Sequence, residues 1–200
     1  MEKKIAIIGA GCSGLTAIKC CREEGFQVHC FEKKNDIGGL WNYSDECHPG
    51  EGSIYKNCCI NTSKEMIAFS DFPVPSHFPP IMPHQLVLQY FQMYAENFKL
   101  LPHVKFNTTV ERVEQSADYD KTGRWSVTYR STDDFQSGTV HQEVYDGVLV
   151  CTGHHVYPYI PDLPGLDTFQ GIKIHSHDYK ISQPFESKNV LVVGMLLSFF

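Results

Sequence analysis

The chain has 200 residues, 42% of them apolar and 20% charged, enough for one sizeable core or two small ones. A net charge of -6, with lysines and arginines scattered along the chain, provides no basic patch and excludes nucleic acid as a partner. Eight cysteines (Cys12, Cys20, Cys21, Cys30, Cys47, Cys58, Cys59 and Cys151) include two adjacent pairs but no C-x-x-C, so neither a disulfide scaffold nor a metal site is expected.

Charge at Glu2, Lys3 and Lys4 precedes the apolar run Ile5, Ala6, Ile7 and Ile8, as it would in a secretory signal. Gly9, Gly11 and Gly14 interrupt that run and Lys19 follows, so it reads as a strand buried on both faces, in a reducing compartment. A helix is expected next, with Leu15, Ala17, Ile18 and Cys21 on its apolar side and Gly25 placed to stop it. Residues 27–31 supply a second strand, which completes one βαβ unit in about 30 residues.

Five prolines within residues 72–83 predict an extended loop. Residues 85–98 contain neither glycine nor proline, and Leu86, Leu88, Phe91, Ala95 and Phe98 fall near helical spacing. Strand candidates follow at 104–106, 109–113, 125–129 and 140–144, a small antiparallel meander with a turn at 118–123. Residues 148–151 predict another buried strand, ended by Thr152 and Gly153. A proline-rich connector then covers 157–165. Residues 190–193 predict one more buried strand, ended by Gly194. No stretch reaches the roughly 18 apolar residues that a membrane span needs.

Gly9-Ala10-Gly11-Cys12-Ser13-Gly14 is a G-x-G-x-x-G between a strand and a helix. The first glycine allows the tight turn, the second lets a pyrophosphate approach the backbone, and the third lets helix and strand pack closely. The helix start adds free N–H groups and the positive end of its dipole. Glu32 ends the second strand, where a carboxylate can accept hydrogen bonds from an adenosine ribose and would repel a 2′-phosphate. This first site is therefore read as one for NAD or FAD, not NADP.

Gly38-Gly39-Leu40-Trp41 follows, and from here the sequence resembles the flavin-containing monooxygenases. The similarity includes Asn61-Thr62-Ser63-Lys64-Glu65-Met66 with Phe69-Ser70-Asp71-Phe72-Pro73, then Cys151-Thr152-Gly153, where the family usually has alanine in place of Cys151. Phe169, Gly171, His175 and Tyr179 complete F-x-G-x-x-x-H-x-x-x-Y, the family's identifying signature. The resemblance runs from residue 5 to about 194. It implies a Rossmann-like FAD-binding parallel sheet with a small antiparallel meander, followed by the start of a second dinucleotide-binding domain. It places the FAD-binding domain at 1–155 and the linker with the start of the NADPH domain at 156–200.

The resemblance implies FAD held by Gly9, Gly11, Cys12, Ser13, Gly14, Glu32 and Lys33, with Gly39, Leu40, Trp41 and Thr62 contributing further on. It makes Asn61 the active-site amide. In such enzymes NADPH reduces the flavin, oxygen adds to it as a hydroperoxide, and a soft nitrogen or sulfur nucleophile takes the oxygen, as in N,N-dimethylaniline monooxygenase activity. An amide donates and accepts without titrating, so it steadies that species without protonating it. By themselves Trp41 also suits a packed aromatic and Asn61 a turn or cap, whereas His175 and Tyr179 read as structural. The two cysteine pairs read as buried thiols. The family's location is the cytosolic face of the endoplasmic reticulum membrane; this chain as it stands reads as cytoplasmic.

One departure stands out. After Gly194 the NADPH motif calls for glycines at 196 and 199, where Leu196 and Phe199 stand. The second site is then incomplete, and two functions compete: the family's NADPH- and oxygen-dependent catalysis, or a truncated, inactive form that at most binds FAD or acts through a partner.

Overall fold

The computed structural model describes residues 2–132 and 139–194. Strand β1 (Lys4–Ile8) lies between two parallel neighbours, β2 (Gln27–Phe31) and β7 (Gly147–Val150), and β3 (Val104–Lys105) extends the sheet, in the order β3-β2-β1-β7. The central position suits the apolar run, and Ala6 and Ile7 are fully buried. Register pairs Ile8 with Phe31 on one side and Val150 on the other. Three strands thus finish level, where the glycine turn begins.

Helix α1 (Cys12–Glu23) connects β1 to β2 and buries Gly14, Leu15 and Ile18. It ends as expected at Gly25, which takes φ +78° and donates its N–H to the Arg22 carbonyl at 3.0 Å. Helix α2 (Lys64–Ile67) is a single turn, and α3 (His84–Asn97) is long. The buried face of α3 is made of Val87, Tyr90, Phe91, Tyr94 and Ala95, whereas Leu86, Leu88 and Phe98 are only half-buried. The expected stripe was misplaced because two tyrosines supply it, their rings acting as apolar bodies.

Strands β4 (Thr108–Gln115), β5 (Trp125–Ser131) and β6 (His141–Tyr145) form the antiparallel meander, with a short helix α4 (Tyr119–Thr122) in place of the plain turn. The first of the four expected meander strands does not join it. Val104 and Lys105 pair in parallel with Cys30 and Phe31, because α3 is a crossover connection and delivers the next strand parallel to β2.

Ala6, Phe31, Val127, Tyr129 and Tyr145 share one core between these elements. Glu143 sits at its edge and accepts hydrogen bonds from Lys4 Nζ at 2.6 Å, Tyr145 OH at 3.0 Å, Lys105 Nζ at 3.3 Å and the Tyr129 hydroxyl. Burial alone would push this carboxyl up. The bonds from Lys4, Tyr129 and Tyr145 and the charge of Lys105 outweigh it and hold the group well below the usual carboxylate range.

Close contacts divide the chain into two units. Met1–Gly39 with Leu88–Gly153 carries both sheets; Leu40–Val87 with His154–Phe200 is the other. In the second, residues 58–64 and 80–84 run side by side: Ile60 donates to Met82, Lys64 to Pro80 and His84 to Cys58, at 2.8 to 2.9 Å through the backbone. The Lys64 ammonium donates to the carbonyls of Phe78 (2.6 Å), Ser76 (2.8 Å) and Pro75 (3.4 Å), pinning the proline-rich loop.

Three expectations of burial fail. Residues 190–193 are not in a strand and are 62 to 86% exposed, and Val150 at the end of β7 is 71% exposed. Both are apolar runs whose burial needs a neighbouring strand, which no described residue provides. Of the cysteine pairs, Cys58 alone is buried; Cys20 is exposed, and Cys21 and Cys59 are half-buried. Among the described residues no helix is long and apolar enough to cross a membrane.

Candidate functional site

The turn from β1 into α1 is fixed by three glycines for three different reasons. Gly9 has φ +99°, and a β-carbon there would stand 2.5 Å from the carbonyl oxygen of Cys151, which itself donates its N–H to Ile8 at 2.9 Å. A β-carbon on Gly14 would lie 1.9 Å from the Gly9 carbonyl oxygen, so this glycine sets how closely helix and strand pack. Gly11 is different. Its φ of -77° suits any residue, and an added β-carbon would meet only Gly39, at 3.6 and 3.8 Å. Neither backbone conformation nor protein packing requires glycine at 11.

Gly11 is also the N-cap of α1, and no side chain caps that end. The first backbone bond is from Leu15 to Gly11 at 3.0 Å, so the N–H groups of Cys12, Ser13 and Gly14 lie ahead of it. They stand at the positive end of a three-turn helix, an arrangement suited to an anion.

Glu32, 6% exposed, faces the same turn. Its Oε2 accepts the Ala10 N–H at 2.7 Å and its Oε1 accepts the Lys34 N–H at 2.9 Å. Each carboxylate oxygen keeps a further lone pair, which a ribose hydroxyl can use. The backbone of Glu32 is locked on both sides, donating to Lys105 (2.9 Å) and accepting from Thr108 (2.8 Å). Gly38 closes the loop by donating to the Ala10 carbonyl at 3.1 Å, at φ +106°, which brings Gly39 against Gly11. Lys33 is exposed, and its carbonyl accepts from the Thr132 hydroxyl at 3.3 Å.

The Cys30 and Cys151 thiols near the turn are held toward their neutral form. Burial first, then the charge of Glu32, pushes Cys30 well up, and its protonated sulfur donates to the Gly9 carbonyl at 3.5 Å. Burial likewise raises Cys151.

Gly9, Gly11, Cys12, Ser13, Gly14, Glu32, Lys33 and Gly39 therefore fall in one unit. Leu40, Trp41, Asn61 and Thr62 fall in the other. Leu40, Trp41 and Thr62 are half-buried there, while Asn61 is exposed directly after the Ile60 to Met82 pairing. In the same unit the signature residues pack and cap. The Phe169 ring lies so close to Gly171 that a β-carbon there would meet it at 2.4 Å, and His175 Nδ1 accepts the His177 N–H at 3.1 Å. Tyr179 packs on Tyr55 and Phe185 with ring centroids 5.6 and 5.9 Å apart. Sequence reasoning missed Ala10 and Lys34 as the donors that orient Glu32, since backbone donors leave no trace in residue identity. Leu196 and Phe199 lie outside the described residues.

A parallel sheet, a glycine turn into a helix and an acidic strand end together define a fold of the Rossmann type. The chain belongs to the flavin-binding monooxygenase-like family, whose profile matches residues 2–198. It is 47% identical over 196 residues to flavin-containing monooxygenase 5 of Rattus norvegicus, and 45% identical over 197 residues to dimethylaniline monooxygenase (N-oxide-forming) 2 of Cavia porcellus. Those alignments cover 97 and 98% of this chain but 36% of each relative, so the chain spans about a third of their length. Among solved structures, S-allyl-L-cysteine S-oxygenase from Allium sativum matches with TM-score 0.82 at 30% identity, over 92% of this chain and 44% of that one. Tmm from Pelagibacter sp. strain HTCC7211 matches with TM-score 0.75 at 27% identity, over 91% and 43%.

Proposed function

We propose that this chain binds FAD through its ADP half at the turn from Gly9 to Gly14 and serves as the flavin-holding part of an NADPH- and oxygen-dependent monooxygenase. The substrates would be small molecules with a soft nitrogen or sulfur nucleophile. The observation that carries the reading is Gly11: a glycine that the protein's own packing does not need, at the uncapped start of a helix, beside a buried carboxylate.

Bound FAD supplies electron transfer and oxygen activation. The chain's own part is to hold it. The N–H groups of Cys12, Ser13 and Gly14 would take the pyrophosphate, and Glu32, already fixed by Ala10 and Lys34, would accept from the ribose. Gly39, Leu40, Trp41 and Thr62 would line the remainder. Asn61, an amide that neither gains nor loses a proton, would hydrogen-bond near the reacting oxygen. The domain limits of 1–155 and 156–200, and the family's place at the cytosolic face of the endoplasmic reticulum membrane, belong to the same proposal.

A second reading rests on Leu196 and Phe199. A side chain at the second motif position fills the space a pyrophosphate needs, and Phe at the third separates helix from strand. On that reading FAD binds but NADPH does not reduce it. Anaerobic mixing of the FAD-loaded chain with NADPH separates the two. Flavin bleaching within seconds, followed by oxide formation from a tertiary amine or thioether once oxygen is admitted, supports the monooxygenase; retained FAD without bleaching supports the second reading.

A further inference from the structure

Outside the flavin site, the second unit gathers three side chains that the cysteine spacing gave no reason to associate. The Cys47 sulfur, a ring nitrogen of His177 and a carboxylate oxygen of Asp178 all lie within 4.8 Å of one another. Residue 47 reaches His177 across 130 positions of sequence, with Cys47 Sγ 3.3 Å from the His177 carbonyl oxygen and 3.7 Å from Ser53 Oγ.

The imidazole is the informative member. Its side chain is only 9% exposed, and Nε2 lies 2.8 Å from the carbonyl oxygen of Glu51. A carbonyl only accepts, so Nε2 carries the hydrogen. That leaves Nδ1, which stands 2.8 Å from Asp178 Oδ1. A carboxylate also only accepts, so in this arrangement Nδ1 donates to Asp178, and a metal ion would take the place of the proton it carries. Neither nitrogen is directed at the Cys47 sulfur as its hydrogen-bond partner. The trio is therefore not a base-activated nucleophile, despite having the residues of one.

We infer that Cys47, His177 and Asp178 bind a borderline-soft divalent cation such as Zn²⁺. Thiolate, imidazole and carboxylate are the donors this ion prefers, and the Glu51 carbonyl holds the imidazole from behind, as partners of metal-bound histidines do. Bonds of roughly 2.0 to 2.3 Å would set the three ligand atoms about 3.5 Å apart, so that separations of up to 4.8 Å close by about 1 Å while Asp178, whose side chain is exposed, swings back from its 2.8 Å contact with Nδ1. Water would take the fourth position. The Cys47 thiol proton, and any proton on Nδ1, leave to solvent as the metal enters. The ion would join residues 44–56 to residues 175–180, which already meet where Lys56 donates to the Lys180 carbonyl at 2.9 Å and Lys180 Nζ to the Ile54 carbonyl at 3.3 Å. The role is that of a staple in the segment carrying the family signature.

The test is titration of the reduced chain with Co²⁺, a spectroscopic substitute for Zn²⁺. The expected result is a thiolate-to-cobalt charge-transfer band that saturates near one equivalent and is displaced by Zn²⁺. It should be absent in Cys47→Ser, present in Cys20→Ser and Cys59→Ser, and require at least about tenfold more Co²⁺ in His177→Gln. No band, or a band of wild-type strength in Cys47→Ser or at wild-type Co²⁺ in His177→Gln, overturns the site. Should Cys47→Ser fail to fold, alkylation of the wild-type chain gives the answer by peptide mass spectrometry. Zn²⁺ should protect Cys47 selectively among the eight cysteines, and equal labelling with and without Zn²⁺ overturns the proposal.

Discussion

A β-carbon placed on Gly14 would stand 1.9 Å from the carbonyl oxygen of Gly9, so the first turn of α1 rests on the end of β1 with no room for a methyl group. Both atoms belong to rigid backbone, and neither side can yield cheaply. Gly14→Ala should cost about 3 kcal/mol of stability, the upper part of the range for overpacking. Urea denaturation followed by circular dichroism checks this; an unchanged midpoint would show that helix and strand can separate without loss.

This turn was legible in the sequence because it is local. An apolar run, three glycines and an acidic residue dictate β1, α1 and β2 through neighbours in the chain, and those bounds were expected nearly residue by residue. What failed was whatever depends on a distant partner. Residues 190–193 and 148–151 have the composition of buried strands, yet burial is a property of the neighbouring strand, and Val150 and Leu191 remain exposed. Val104 was placed in the wrong sheet because composition does not encode whether a connection is a hairpin or a crossover. Glu143 and the group of Cys47, His177 and Asp178 were invisible for the same reason, their partners being far away in sequence.

Glu143 should make stability depend on acid. Its carboxyl is held below the usual range in the folded chain, so its contribution is present above the unfolded-state value, about 4.3, and is lost as pH falls through the lower folded value. Glu143→Gln should cost about 2 kcal/mol near pH 7, the worth of hydrogen bonds to a charged group. The gap between variant and wild type should narrow near pH 3, which urea midpoints at the two pH values would reveal. A gap that stays constant would mean that the carboxylate's charge contributes nothing.

His29 adds an earlier step in the same direction. Burial first, then the charges of Lys4 and Lys105, hold its imidazole below the usual range against the opposing pull of Glu143. The unfolded chain therefore binds a proton that the folded chain refuses, and stability should begin to fall below about pH 6.5. His29→Gln should flatten the stability profile between about pH 6.5 and pH 5 while leaving the lower, Glu143-dependent step. An unaltered profile would remove His29 from the account.

Lys64 should be the fastening of the proline-rich loop. Its ammonium donates to three backbone carbonyls, and Lys64→Met would leave all three without that donor, at a cost of about 2 kcal/mol. The distinctive readout is local. Amide hydrogen exchange at Ile60 and Lys64, whose N–H groups donate to Met82 and Pro80, should speed up at least tenfold, while exchange in β1 and β2 follows the global stability. Equal acceleration everywhere would show that the loop has no separate fastening.

Gly11, on the proposed function, is glycine for the sake of a flavin. The most direct measurement is the FAD content of purified wild-type chain and Gly11→Ala after incubation with FAD and gel filtration, read from flavin absorbance alongside the denaturation midpoint. The added β-carbon meets only ordinary contacts with Gly39, so the variant should fold with a midpoint matching wild type and yet lose the flavin that wild type retains. Flavin retained equally by both chains, or by neither, would contradict the account.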